Sequence, residues 1–132
     1  MKVRIEKVAN ATLVIAEGRL DFSAAAQFQQ HLEQAVAGAV TPGTATPGTG
    51  SQGRAVIVDC AALDYVSSAG LRTFLQAARA SQRAGIAFAL SALQPAVREV
   101  FELSGFSRMI PIHADRSAAL ARISPAKPPD ER

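Results

Sequence analysis

A mixed α/β fold, with about five strands and about four helices, follows from three stretches of this 132-residue chain. Ala55-Val56-Ile57-Val58-Asp59-Cys60 opens as an unbroken apolar run rich in β-branched residues, the pattern of a strand covered on both faces. Ile86-Ala87-Phe88-Ala89-Leu90 is a second such run, and the residues between the two carry a helical period, so strand, helix and strand form a right-handed parallel crossover. At the amino end, Val3, Ile5 and Val8 are separated by a turn at Asn10 from Ala11 to Ala16, which predicts an antiparallel hairpin at the edge of the sheet.

The remaining elements follow in order. Gly18-Arg19-Leu20-Asp21 ends the hairpin, and Asp21 or Ser23 caps a helix whose apolar face is Phe22, Ala25, Phe28, Leu32, Ala35 and Val36. Gln27, Gln30, Glu33 and Gln34 take its other side, with His31 between the faces as a surface residue. Residues 41–53, rich in Pro, Thr and Gly, lack apolar periodicity and are expected to form a flexible loop. Gly48 to Gly53 fits G-x-G-x-x-G, but a linker precedes it and a strand follows, the reverse of a dinucleotide site. After Cys60 a connector over Ala61 to Val66 leads to Ser67-Ser68-Ala69-Gly70, where either serine can cap a helix. That helix buries Leu71, Phe74, Leu75 and Ala78, turns Arg72, Gln76, Arg79 and Arg83 outward, and stops at Gly85. Pro95 opens a third helix with Val97, Val100, Phe101 and Leu103 inward and Gly105 at its end. Met109 to Ile112 is a short edge strand that admits Pro111, and Asp115 caps a last helix with Leu120 and Ile123 inward. Residues 124–132 form a disordered tail.

Bulk properties narrow the function. The length suits one domain. No apolar run approaches a membrane span, and Lys2, Arg4, Glu6 and Lys7 interrupt any secretory signal, so a cytoplasmic protein without membrane insertion is expected. The net charge of +3 is spread along the chain, which argues against direct nucleic-acid binding. Cys60, the sole cysteine, can form no internal disulfide and reads as a buried thiol. There is no Walker lysine, metal-ligand cluster or nucleophile elbow. Ser68 as a nucleophile would need a base, and His113, after a proline-bearing edge strand, is the only candidate; hydrolysis is thus the third-ranked class of function. Asp59 and Asp64 lack the further acidic group and lysine of a phospho-acceptor site. No cofactor, no metal and no enzymatic activity are expected.

What stands out is the doubling at Ser67-Ser68. One hydroxyl suffices as the cap, and the other sits on the first exposed turn beside the small residues Ala69 and Gly70, open to a partner. Asp59, with Leu63-Asp64-Tyr65-Val66-Ser67-Ser68-Ala69-Gly70-Leu71-Arg72, resembles the signature of STAS domains, the anti-sigma-factor antagonist family, and Gly18-Arg19-Leu20-Asp21 is similar to its Gly-x-Leu/Ile-Asp turn. The resemblance implies a single STAS-like domain over residues 1–123. It places the phosphorylated serine two residues before the Gly-Leu pair, at Ser68, with Ser67 the lesser candidate. Many antagonists carry Asp where this chain has Ser67. The implied docking residues are Asp21, Asp64, Ser67, Ser68, Ala69, Gly70 and Arg72. The implied partners are a GHKL-type anti-sigma serine kinase, which binds the unphosphorylated form and phosphorylates it, and a PPM-type phosphatase that reverses the modification. A second implied role is as an unphosphorylated subunit of a lipid or anion transport complex.

Overall fold

The computed structural model describes residues 1–8, 11–39 and 55–123. The expected turn at Asn10, the 41–53 loop with its glycine pattern, and the 124–132 tail lie outside the described residues. Strands β1 (Lys2–Val8) and β2 (Ala11–Leu20) form the antiparallel hairpin, followed by α1 (Phe22–Ala39). Next come β3 (Ala55–Val66), α2 (Ser68–Ala84), β4 (Ala87–Ser91) and α3 (Pro95–Ser104). A 3-10 turn at Phe106–Arg108, β5 (Ile112–His113) and α4 (Arg116–Ile123) complete the described chain. The strands lie in the order β1-β2-β3-β4-β5, and every pair after the hairpin is parallel, which makes the sheet mixed.

Side chains of a strand alternate between faces, and the core divides accordingly. Val14, Ala16, Val56, Val58 and Cys60 face α1, α2 and α3 and join Phe28, Leu32, Phe74, Val97 and Phe101 in the main core. Leu13, Ile15, Ala55 and Ile57 face the other way and pack with Ala119 and Leu120 of α4. Within the main core, Phe74 sits edge-on to Phe28 at 5.3 Å and to Phe101 at 5.2 Å, tying three helices together through one ring. Gly85 and Gly105 end α2 and α3 at φ 75° and 84°, the left-handed cap conformation that glycine adopts without steric cost.

The fold departs from the sequence-based expectation at four places. The stretch Ala61 to Val66 is not a connector but the second half of β3, because β2 also continues past Ala16 to Leu20 and offers it a partner. Register shifts between Ile15 and Glu17 and between Gly18 and Arg19 accommodate the extension, with Gly18 at φ 103°. Phe22 is 82% exposed rather than buried: helical side chains lean toward the amino terminus, so a first-turn residue reaches past the end of the helix. Leu103 is 80% exposed, since at about 100° per residue it falls well away from the Val97–Phe101 stripe. The edge strand is Ile112–His113, and Met109 lies outside it after the 3-10 turn.

Candidate functional site

Because β3 pairs with β4 only as far as Asp59, its last residues run on beside β2 alone and bring two helix starts together. Leu20 and Val66 are partners at the ends of these strands, and the next residues on each chain begin α1 and α2. The Ser67 amide donates to the Leu20 carbonyl at 2.8 Å, which joins the two junctions directly. Gly70 completes the fit: a Cβ there would lie 2.6 Å from Leu20 Cγ and 3.0 Å from the Leu20 carbonyl oxygen. Only a residue without a side chain lets α2 start this close to β2. Gly70 is therefore buried, and its contribution to the site is this approach rather than a face offered outward.

Each helix start is capped by its own side chain. Asp21 Oδ1 accepts from the Ala24 amide at 3.0 Å and from Ser23 Oγ at 2.8 Å. The hydrogen bond from Ser23, then that from the Ala24 amide, favours the ionised carboxylate and holds the Asp21 pKa below its ordinary value, with the Arg19 charge acting in the same direction. On α2 the cap is Ser67, in extended conformation at φ −83° and ψ 173°, with Oγ accepting from the Gly70 amide at 3.1 Å. Of the two candidate caps, Ser67 is the one that caps α2. Ser68 is the first helical residue, is exposed, and its hydroxyl has no hydrogen-bond partner among the described residues.

The other expected docking residues differ in exposure. Ala69 is half-buried, Asp64 is exposed near the end of β3, and Arg72 is exposed one helical turn beyond Ser68. Three residues at or next to these helix starts were not among the expected docking residues. Phe22 projects from the first turn of α1, and the Arg19 guanidinium lies 4.3 Å from the centre of the half-exposed Tyr65 ring, across the paired strand ends. The placement of Phe22 directly after the capping Asp21 was the available signal.

Of the residues with other conceivable chemistry, Asp59 and Cys60 are occupied by the fold. Asp59 is buried; its Oδ2 accepts from Arg116 of α4 at 2.5 and 3.2 Å, and its Oδ1 from the Ala61 amide at 3.1 Å. Cys60 is fully buried, and burial, followed by the neighbouring Asp59 charge, pushes its thiol pKa far upward, away from the reactive thiolate. His113 lies on β5 beside Ser91, and its carbonyl accepts from the Ala92 amide. Among the described residues no group of three or more His, Cys, Asp or Glu side chains is placed to hold a metal ion, and no helix is long and apolar enough to cross a membrane.

Comparison with known proteins converges on one fold. The sequence pattern of the STAS domain matches residues 2–119. BtrV of Bordetella bronchiseptica, provisionally named an anti-sigma factor antagonist, is 34% identical over 128 residues, which cover 97% of this chain and 99% of that protein. An anti-sigma factor antagonist from Mycobacterium paratuberculosis superimposes with a TM-score of 0.76 at 20% identity, covering 92% of each chain. The antagonist SpoIIAA in its unphosphorylated form gives 0.70 at 21% identity, covering 92% of this chain and 96% of its own. The phosphorylated form of SpoIIAA, from Bacillus, gives 0.64 at 20% identity over 92% and 99% of the two chains.

Proposed function

The chain belongs to the STAS domain family, and we propose that it is an anti-sigma factor antagonist whose start of α2 is a phosphorylation-controlled docking face. In its unphosphorylated form it binds a GHKL-type anti-sigma kinase and so releases a sigma factor. The kinase transfers the γ-phosphoryl group of ATP to Ser68 Oγ, whose proton leaves, and a PPM-type phosphatase restores the hydroxyl by hydrolysis. The chain itself catalyses nothing in this cycle and works in the cytoplasm.

The observation that carries the reading is the division of labour between the two serines. Ser67 satisfies the Gly70 amide, so Ser68 can be modified without uncapping the helix. Phosphate adds roughly −1.5 to −2 charges and three acceptor oxygens. At the first position of α2 these meet the positive end of the helix dipole and stand before the first intrahelical bond, from the Leu71 amide to the Ser67 carbonyl. Arg72, four residues on, lies on the same side of the helix and adds a cation within reach. The monomer therefore tolerates the modification. A partner packed against Ser68 does not, because it meets new bulk and a charge it must desolvate. The existence of SpoIIAA, a neighbour in fold, in both phosphorylated and unphosphorylated forms supports this reading.

The test is a pair of variants titrated against the kinase. Ser68→Ala is expected to bind as the wild type and take up no phosphate, and Ser68→Asp to bind at least about 100-fold more weakly, roughly 2.7 kcal/mol. Equal affinity of the two variants contradicts the switch, and phosphate uptake lost in Ser67→Ala but kept in Ser68→Ala moves the site to Ser67.

A further inference from the structure

We propose that Phe22 is the apolar anchor by which this chain engages its GHKL-type kinase, inserting into a pocket of the kinase while Ser68 is presented beside it. This rests on the kinase-binding reading above and adds to it the residue that selects the partner. Among the described residues Phe22 is the most exposed of the large apolar side chains, at 82%, whereas Phe28, Phe74 and Phe101 are each at most 1% exposed. Nothing in the core depends on its ring, yet its position is fixed. Asp21 caps the same turn through the Ala24 amide, and the Asp21 carbonyl accepts from the Ala24 and Ala25 amides, each at 3.1 Å. Such a ring is costly to leave in water, and its backbone is already ordered before docking, the properties of an interface anchor.

Its place relative to the switch comes from the backbone. Phe22 and Ser68 are the first residues of α1 and α2, and those starts are joined by the Ser67 amide bond to the Leu20 carbonyl and by the contact of Gly70 with Leu20. A partner seated on Ser68 is therefore beside the start of α1. The surrounding charges favour a protein over a polyanion as the partner. Arg19 and Arg72 are balanced by Asp21 and Asp64, so the face carries no net charge to attract nucleic acid or an anionic membrane, while Tyr65 under Arg19 extends its apolar area. An aromatic centre with a mixed-charge rim fits a protein pocket.

The experiment titrates the full chain calorimetrically with each purified GHKL-type kinase encoded in the same genome and follows Ser68 phosphorylation with the kinase that binds. Phe22→Ala is expected to weaken binding at least about 30-fold, the effect of a typical hot-spot residue. It should raise the KM for phosphorylation with kcat unchanged and leave the melting temperature alone, and Phe22→Leu should recover much of the affinity. Phe22→Ala binding within about twofold of the wild type, with Ser68→Asp still disabled, overturns the anchor and leaves the switch standing. A lowered melting temperature also overturns it, by making Phe22 part of the fold. If neither Phe22→Ala nor Ser68→Asp weakens binding to a kinase that the wild type binds, the docking reading itself fails.

Discussion

Two regions of this molecule gather polar and charged residues near the carboxyl ends of parallel strands, and they treat them oppositely. Beneath α4, the Asp59 carboxylate is closed off by Arg116 and the Ala61 amide, and Ser91, its neighbour across the sheet, is fully buried. At the joined starts of α1 and α2, Ser67 and Asp21 cap the helices while Ser68, Asp64, Arg72 and Phe22 are left exposed. In the first region the Asp59 carboxylate holds α4 to the sheet. The second keeps groups that the fold does not need, and those are the groups free to meet a partner.

This contrast predicts that variants in the closed regions change stability and those at the open face change binding. The largest loss of stability is expected for Phe74→Ala, which removes the ring shared by α1, α2 and α3 and should cost roughly 3–5 kcal/mol in chemical denaturation. Gly70→Ala forces a methyl group against Leu20 and should cost about 1–3 kcal/mol, with weaker kinase binding because the two helix starts are pushed apart. Ser67→Ala removes the α2 cap and should cost about 1 kcal/mol. Ser68→Ala, by contrast, should stay within about 0.5 kcal/mol of the wild type. A Ser68→Ala cost equal to that of Ser67→Ala would erase the distinction between the two serines.

The capping carboxylate gives a pH signature of the open region. The Asp21 pKa is held below 3.8, so its contribution to stability is present above the unfolded value and is lost as pH falls through the folded one. Asp21→Asn should therefore flatten the acid limb of the stability curve, and an Asp21 carboxyl that titrates at or above 3.8 by NMR would contradict the cap.

Much of this arrangement could be read from the residues. The unalternated run Ala55 to Cys60 marks a strand buried on both faces, and all six residues are buried. The doubled serine signalled a hydroxyl surplus to capping, and Ser67 is the cap while Ser68 is exposed. The second half of β3 was hidden because its burial follows a period of three, with Leu63 and Val66 inside and Ala61, Ala62, Asp64 and Tyr65 outside, a consequence of the register shifts against β2. Phe22 and Leu103 were placed inside because an apolar residue at helical spacing is ordinarily core, and whether a sheet lies beneath the ends of a helix is a tertiary fact. The closing of Asp59 by Arg116, 57 residues away, has no local signature at all.

The switch requires that phosphate at Ser68 change what the molecule binds without unfolding it. A calorimetric titration of the kinase with unphosphorylated chain and with chain phosphorylated at Ser68, both first checked by thermal melting, measures this directly. The phosphorylated form is expected to melt no lower than the unphosphorylated one and to bind at least about 100-fold more weakly. Coincident binding curves, or a melt lowered by the phosphate, would contradict it.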